Sequence, residues 1–282
     1  AWAERHDFEI LGPPPRDQLL GGAETSRPDL GGDGVLVIPE LERWFLRNQE
    51  GLGAVRALLS AIQQTERKCL VGCSAWSWRF LCTAVGADLL LPQPVTFQAF
   101  DGPRLERWFT SLANHDGIRD VTFRLAGTGQ QVLATKEGRG KPLSEFFERL
   151  AAHSLGIPWV AWHLWRRSLR SSVDIESASD EVQSKAEPDR RTLWVANMDE
   201  LVMPAGHRQD ALLVLQALLI HGSLTVDEMQ HVLPALSDRN IVGGLMQTGI
   251  VERSGDEFIC RPAAYPLVRR ELVAAGFPGD GF

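Results

Sequence analysis

Two polar side chains follow short apolar runs in a way that could support chemistry. Glu40 comes after Val35-Leu36-Val37-Ile38-Pro39, and Ser74 after Cys69-Leu70-Val71-Gly72-Cys73. A carboxylate and a hydroxyl at the ends of neighbouring strands can polarise a water and contact a phosphate oxygen, the tasks of a phosphoryl-transfer site. Ser74 also lies in Gly72-Cys73-Ser74-Ala75-Trp76, which keeps three positions of a G-x-S-x-G nucleophile elbow and lacks the last glycine. A hydrolase would need a histidine base, and the surroundings of His115, His153 and His163 mark none as one. The seven histidines form no HExxH, and Cys69, Cys73, Cys82 and Cys260 have no CxxC spacing, so no metal site is expected and the thiols read as buried and free.

Each candidate also has a purely structural explanation. Glu40 either acts on water or pairs with Arg43 or another surface cation. Ser74 either meets a phosphate or caps the helix that follows it. The structural alternatives leave the architecture in place and remove the chemistry.

The elements that must position these residues follow from periodicity. Phe8 to Leu11 reads as a short strand stopped by Gly12 and Pro13 to Pro15. Val35 to Ile38 is a continuous aliphatic run of the kind found in strands covered on both faces. Leu52, Val55, Leu58, Leu59 and Ile62 recur at helical period, and Cys69 to Gly72 forms the next strand. Strand, helix, strand implies a βαβ unit and a parallel sheet. Beyond Pro92 the pattern turns helical, over Arg104 to Ala113 and Ser144 to Leu169, with Val121 to Leu125 and Gln131 to Leu133 irregular or a small hairpin. Arg170 to Arg191 is polar and free of aromatic residues, which reads as a linker. Three helices then follow, over Gln209 to His221, Thr225 to Leu233 and Asp238 to Thr248. A hairpin of Ile250 to Arg253 and Glu257 to Cys260 and a last helix from Pro266 to Ala275 complete the outline of a winged helix. The expected domains are an α/β core over 1–92, a helical subdomain over 93–169, a polar linker over 170–204 and a winged helix over 205–282.

In this setting Val35 to Glu40 resembles the Walker B strand of P-loop ATPases of the AAA+ and STAND groups, with Pro39 standing where those families carry a magnesium-orienting aspartate. The resemblance implies that Glu40 polarises the attacking water and that magnesium has lost its ligand. Lys68 to Ser74 is similar to the sensor 1 strand, which gives Ser74 the γ-phosphate contact. Gly156-Ile157-Pro158, within Ser154 to Ala161, resembles the Gly-x-Pro segment of the helical lid, in which Pro158 would pack on adenine. The order of these parts, followed by a winged helix, is similar to that of STAND and origin-recognition ATPases. The implied fold is a partial parallel P-loop NTPase-like sheet with a helical lid and a winged helix, and the implied cofactor is ATP or ADP, held weakly or not at all by this chain. No G-x-x-x-x-G-K-[ST] loop occurs in the sequence, and its place would be upstream of Ala1. The His-Asp pair that many STAND proteins carry near the end of the winged helix falls at Tyr265-Pro266. Little or no ATP hydrolysis is expected.

Composition narrows the partners. The 282 residues are 44% hydrophobic and 23% charged, as in globular proteins, and the net charge of −7 offers nucleic acid little. From Gly206 to Phe282 there are six Arg and no Lys against nine Asp plus Glu, a net of −3. Counterion release thus weighs against DNA as the winged helix's partner and favours an intramolecular or protein contact. A DNA-binding regulator or non-catalytic scaffold on the same fold is the alternative. The longest strongly apolar helical segment, Ala211 to Ile220, is about half of what a membrane crossing needs, so no insertion is expected and the expected compartment is the cytoplasm. Trp159, Trp162 and Trp165 recur along one helix and are expected in the core.

Overall fold

A computed structural model describes residues 2–20, 28–114, 121–133, 144–171, 191–198, 201–236 and 240–279. The chain is a mixed α/β protein and forms two compact units. Ala1–Thr96 and Val202–Phe282 together make the first, and Phe97–Leu201 makes the second. The core and the C-terminal segment, expected as separate domains, thus belong to one unit.

Within the first unit, α1 (Trp2–Arg5) leads into β1 (Glu9–Ile10), and α2 (Arg16–Leu20) follows the proline turn. β2 (Val35–Ile38) is joined by α3 (Gly53–Gln64) to β3 (Lys68–Val71), and α4 (Ala75–Val85) and α5 (Ala87–Leu90) come next. The sheet is parallel throughout, in the order β1-β2-β3, with Val35 opposite Lys68 and Ile38 opposite Val71. Leu36, Val37 and Ile38 are all buried, as expected of a central strand whose two faces are covered. α3, which links the two strands, buries Ala54, Val55, Leu58, Leu59 and Ala61 along one side. β3 is different: it lies at the end of the sheet, and Leu70 is 49% exposed.

The C-terminal part of this unit is built on α9 (Arg208–His221). It buries Leu212, Val214, Leu215, Leu218 and Ile220, an apolar surface spread around the whole helix, so neighbours must surround it. α10 (Val226–Val232) starts with a capping box in which Thr225 Oγ1 accepts from Glu228 N and Glu228 Oε2 accepts from Thr225 N. Asn240 caps α11 (Ile241–Gln247). A hairpin of β8 (Val251–Ser254) and β9 (Glu257–Cys260) turns at Gly255, whose φ of +63° suits glycine. β7 (Ser223–Leu224) adds to β9, and α12 (Tyr265–Ala274) closes the segment.

In the second unit, α6 (Gly102–Ala113), α7 (Ser144–Ser154) and α8 (Pro158–Ser168) enclose an aromatic core. Trp165 is its centre, with ring centroids 5.1 Å from Phe109, 5.4 Å from Phe123 and 5.5 Å from Phe146. This unit has a sheet of its own, β4 (Val121–Leu125), β6 (Arg191–Val195) and β5 (Leu169–Arg170), in the order β4-β6-β5. β4 runs parallel to β6, and β5 runs antiparallel to it.

Two expectations need correction here. Residues 191–195 were to lie in the polar linker, yet they form the middle strand of this sheet, with Trp194 and Val195 buried. Averaging over a polar stretch hides Thr192-Leu193-Trp194-Val195, a run of high strand propensity. The linker residues 172–190 lie outside the described residues. The three tryptophans are not all core either: Trp165 is 3% exposed and Trp159 is 61% exposed. A spacing of three drifts by about 60° per step around a helix, so Trp159 leaves the buried face that Trp165 occupies. Among the described residues, no helix is long and apolar enough to cross a membrane.

Candidate functional site

Glu40 and Ser74 emerge at the carboxyl ends of adjacent strands. The β2–β3 ladder runs on past both strands through Gly72 N to Ile38 O at 2.7 Å and Leu41 N to Gly72 O at 2.9 Å. This draws the segments after the two strands together. Glu40 is exposed and precedes a 3-10 turn over Leu41–Arg43, with no capping bond from its side chain. Arg43, one of its expected structural partners, pairs instead with Glu257 of β9 at 3.1 Å.

Ser74 is the N-cap of α4. Its Oγ accepts from Ser77 N at 3.2 Å and lies 2.6 Å from Ser77 Oγ, while its own N–H donates to Glu42 Oε2 at 3.3 Å. The capping role is therefore realised, and no phosphate contact is needed to explain the residue. Glu42 is the carboxylate closest to it in function: burial raises its pKa above the ordinary range, partly opposed by hydrogen bonds from backbone N–H groups including that of Ser74. The Cys73 thiol is pushed well above its usual range by burial, with the Glu42 carboxylate and Cys82 adding to the effect. It stays protonated and is a poor nucleophile.

The strand ends are covered by the C-terminal segment of the same unit. Buried Phe45 packs against the His221 ring at 5.0 Å, Arg47 N donates to His221 Nε2 at 3.3 Å, and Arg47 Nη1 donates to Gln216 Oε1 at 2.8 Å. Trp76 Nε1 donates to Tyr265 Oη at 3.2 Å, and Ser77 Oγ donates to the Ile220 carbonyl. Arg16 Nε lies 3.1 Å from Glu228 Oε1. His221 is driven down to a pKa of about 3, first by burial and then by the Arg16 and Arg47 guanidiniums, with the Glu42 carbonyl acting in the opposite direction. It is a neutral, buried hydrogen-bond acceptor.

Gly156 and Pro158 lie in the second unit. Pro158 is the first residue of α8, a position where its missing N–H costs nothing. Gly156 has a φ of +68° and accepts from Phe100 N at 2.7 Å; a Cβ added there would come within 2.7 Å of Ala99 Cβ and of Phe100 O. Both features call for glycine whatever else the residue does. Gly156→Ala is accordingly expected to cost about 3 kcal/mol, read as a lower urea midpoint. Gly12→Ala, with nothing within 4 Å of the added carbon, is the neutral control.

The chain matches no protein-family model and no curated protein. Among the described residues there is no group of three or more His, Cys, Asp or Glu side chains suited to holding a metal. Glu42 and Ser77, which touch Ser74, and the contacts of Arg47 with His221 and of Arg16 with Glu228 are absent from the expectations. One signal for them was present. Trp44-Phe45-Leu46 follows the strand-end turn and is wholly apolar, so it must be covered, and only another element of the fold can cover it.

Proposed function

We propose that this chain is part of an ATPase-like, nucleotide-responsive switch of the AAA+/STAND type, working through protein contacts and not hydrolysing ATP by itself. The observation that carries the reading is the parallel pair β2–β3, with Glu40 and Ser74 at its carboxyl ends and β3 unpaired along its outer edge among the described residues. Ligands of open parallel sheets bind beyond those ends. In this reading the open edge, where Leu70 is half exposed, is the seat of the strand that carries a phosphate loop. Without that loop nothing cradles the β- and γ-phosphates, and Pro39 offers no anion to magnesium. The helices and hairpin of the C-terminal segment are the winged helix of this reading, and nucleotide occupancy shifts the balance of their contacts with the strand ends.

The DNA-binding alternative has less support. The helix that would read the groove, expected over Asp238 to Thr248, has Arg239 as its one basic residue, and Arg253 of the hairpin and Arg261 just after it are paired with Asp256 and Glu252. Titration with ATP, ADP and duplex DNA at two salt concentrations separates the readings. Weak, saturable nucleotide binding without turnover is the expected result. Steady ATP turnover abolished by Glu40→Gln, or salt-sensitive DNA affinity with no nucleotide effect, would overturn the proposal.

A further inference from the structure

The Ser74 hydroxyl belongs to a hydrogen-bonded chain whose direction can be deduced. The Ile220 carbonyl can only accept, so the Ser77 hydroxyl proton points at it. The 2.6 Å contact between the two serine oxygens is then made with the Ser74 proton. Ser74 Oγ accepts in turn from Ser77 N. The path runs from the end of β3, through fully buried Ser77, to a carbonyl in the last turn of α9.

That carbonyl is one of the final four of α9, which have no partner within the helix and are costly when buried without one. Ile220 is 2% exposed, so water is a poor substitute for Ser77. The same end of α9 is also held by the bonds from Arg47 to Gln216 and His221. We propose that Ser77 is a coupling residue, transmitting the state of the Ser74 hydroxyl to the last turn of α9 and hence to the C-terminal segment. An acceptor that engages Ser74 takes away the proton now fixing the Ser77 hydroxyl, and Ser77 loosens its hold on Ile220. The coupling rests on the switch reading only for what engages Ser74; the hydrogen-bonded chain itself does not.

The test separates coupling from helix capping. Asparagine is as good an N-cap as serine, but its side-chain oxygen has no proton to give and competes with Ile220 for that of Ser77. Hydrogen exchange of Ser74→Asn is expected to be about fivefold or more faster at amides 218–224, with amides 75–78 of α4 unchanged. Ser77→Ala should give the same acceleration at 218–224, and the double variant no more than Ser77→Ala alone. Thr83→Ala, on the exposed side of α4, should change nothing at 218–224. Unchanged exchange at 218–224 in Ser74→Asn, or additive effects in the double variant, would overturn the coupling. Should Ser77→Ala fail to fold, Ser74→Asn alone still decides it. ATP is tested separately. Faster exchange at 218–224 on ATP addition to the wild type but not to Ser77→Ala supports the link. Equal acceleration in both overturns the link, and no ATP binding at all counts against the switch reading while the variants still judge the coupling.

Discussion

Glu228→Gln is expected to lower the free energy of unfolding by about 3 kcal/mol. The substitution is nearly isosteric, and glutamine at this position of α10 still closes the capping box, so the helix start survives. What is lost is the charge opposite Arg16. The Glu228 side chain is 1% exposed and that of Arg16 is 18% exposed, and none of the three Arg16 guanidinium nitrogens has a well-formed hydrogen bond. Burial already presses the Arg16 pKa down, with Glu228 the main opposing influence and the Arg43 guanidinium adding to the pressure. Removing the Glu228 charge leaves a largely desolvated cation facing a second one, with only Glu257 and Glu40 in partial compensation. The residual exposure of Arg16 puts the cost at the low end for breaking a buried pair. Equilibrium urea unfolding measures it, and Arg16→Met in the same background should recover part of the loss, because the orphaned charge is then gone. A loss below about 1 kcal/mol would show that water reaches Arg16 well enough to replace its partner.

How much of this was legible in the sequence differs by level. β2 falls on the aliphatic run Val35 to Ile38, and α9, α10, the β8–β9 hairpin and α12 fall within a residue or two of their expected positions, because caps, glycine turns and hydrophobic periods are local signals. Local signals also put Glu40 and Ser74 at strand ends. They could not say that Ser74 would spend its hydroxyl on α4 and Ser77, or that Arg43 would reach Glu257, more than two hundred residues further along the chain. The second sheet was missed for a related reason: β4 and β6 are partners separated in sequence by two helices and a polar stretch, and register between distant strands is written in no short window. His221 had no motif around it. Only its position in the last turn of an all-round apolar helix hinted at burial, and burial decides its chemistry.

That burial has a measurable consequence for acid stability. An unfolded histidine takes up a proton near pH 6.5, whereas folded His221 resists until about pH 3. Its folded pKa is depressed, so the stability tied to the neutral ring is fully present above pH 6.5 and drains away as pH falls toward the folded value, because only the unfolded chain gains the proton. By about pH 4.5 the loss amounts to about 2–3 kcal/mol at the slope for one proton. Glu42 works against this: its raised folded pKa lets the native state take up a proton before the unfolded chain does, which adds stability as pH falls. Glu42→Gln should therefore steepen the acid limb, and His221→Gln should flatten it. Glutamine at 221 can still accept from Arg47 N through its side-chain oxygen but does not titrate; it gives up the ring contact with Phe45 and so costs about 1–2 kcal/mol at neutral pH. Urea midpoints followed by tryptophan fluorescence between about pH 7 and 4.5 compare the slopes. Parallel curves for wild type and His221→Gln would mean that folded His221 takes up its proton at the same pH as in the unfolded chain, and that Arg47 N does not depend on its lone pair.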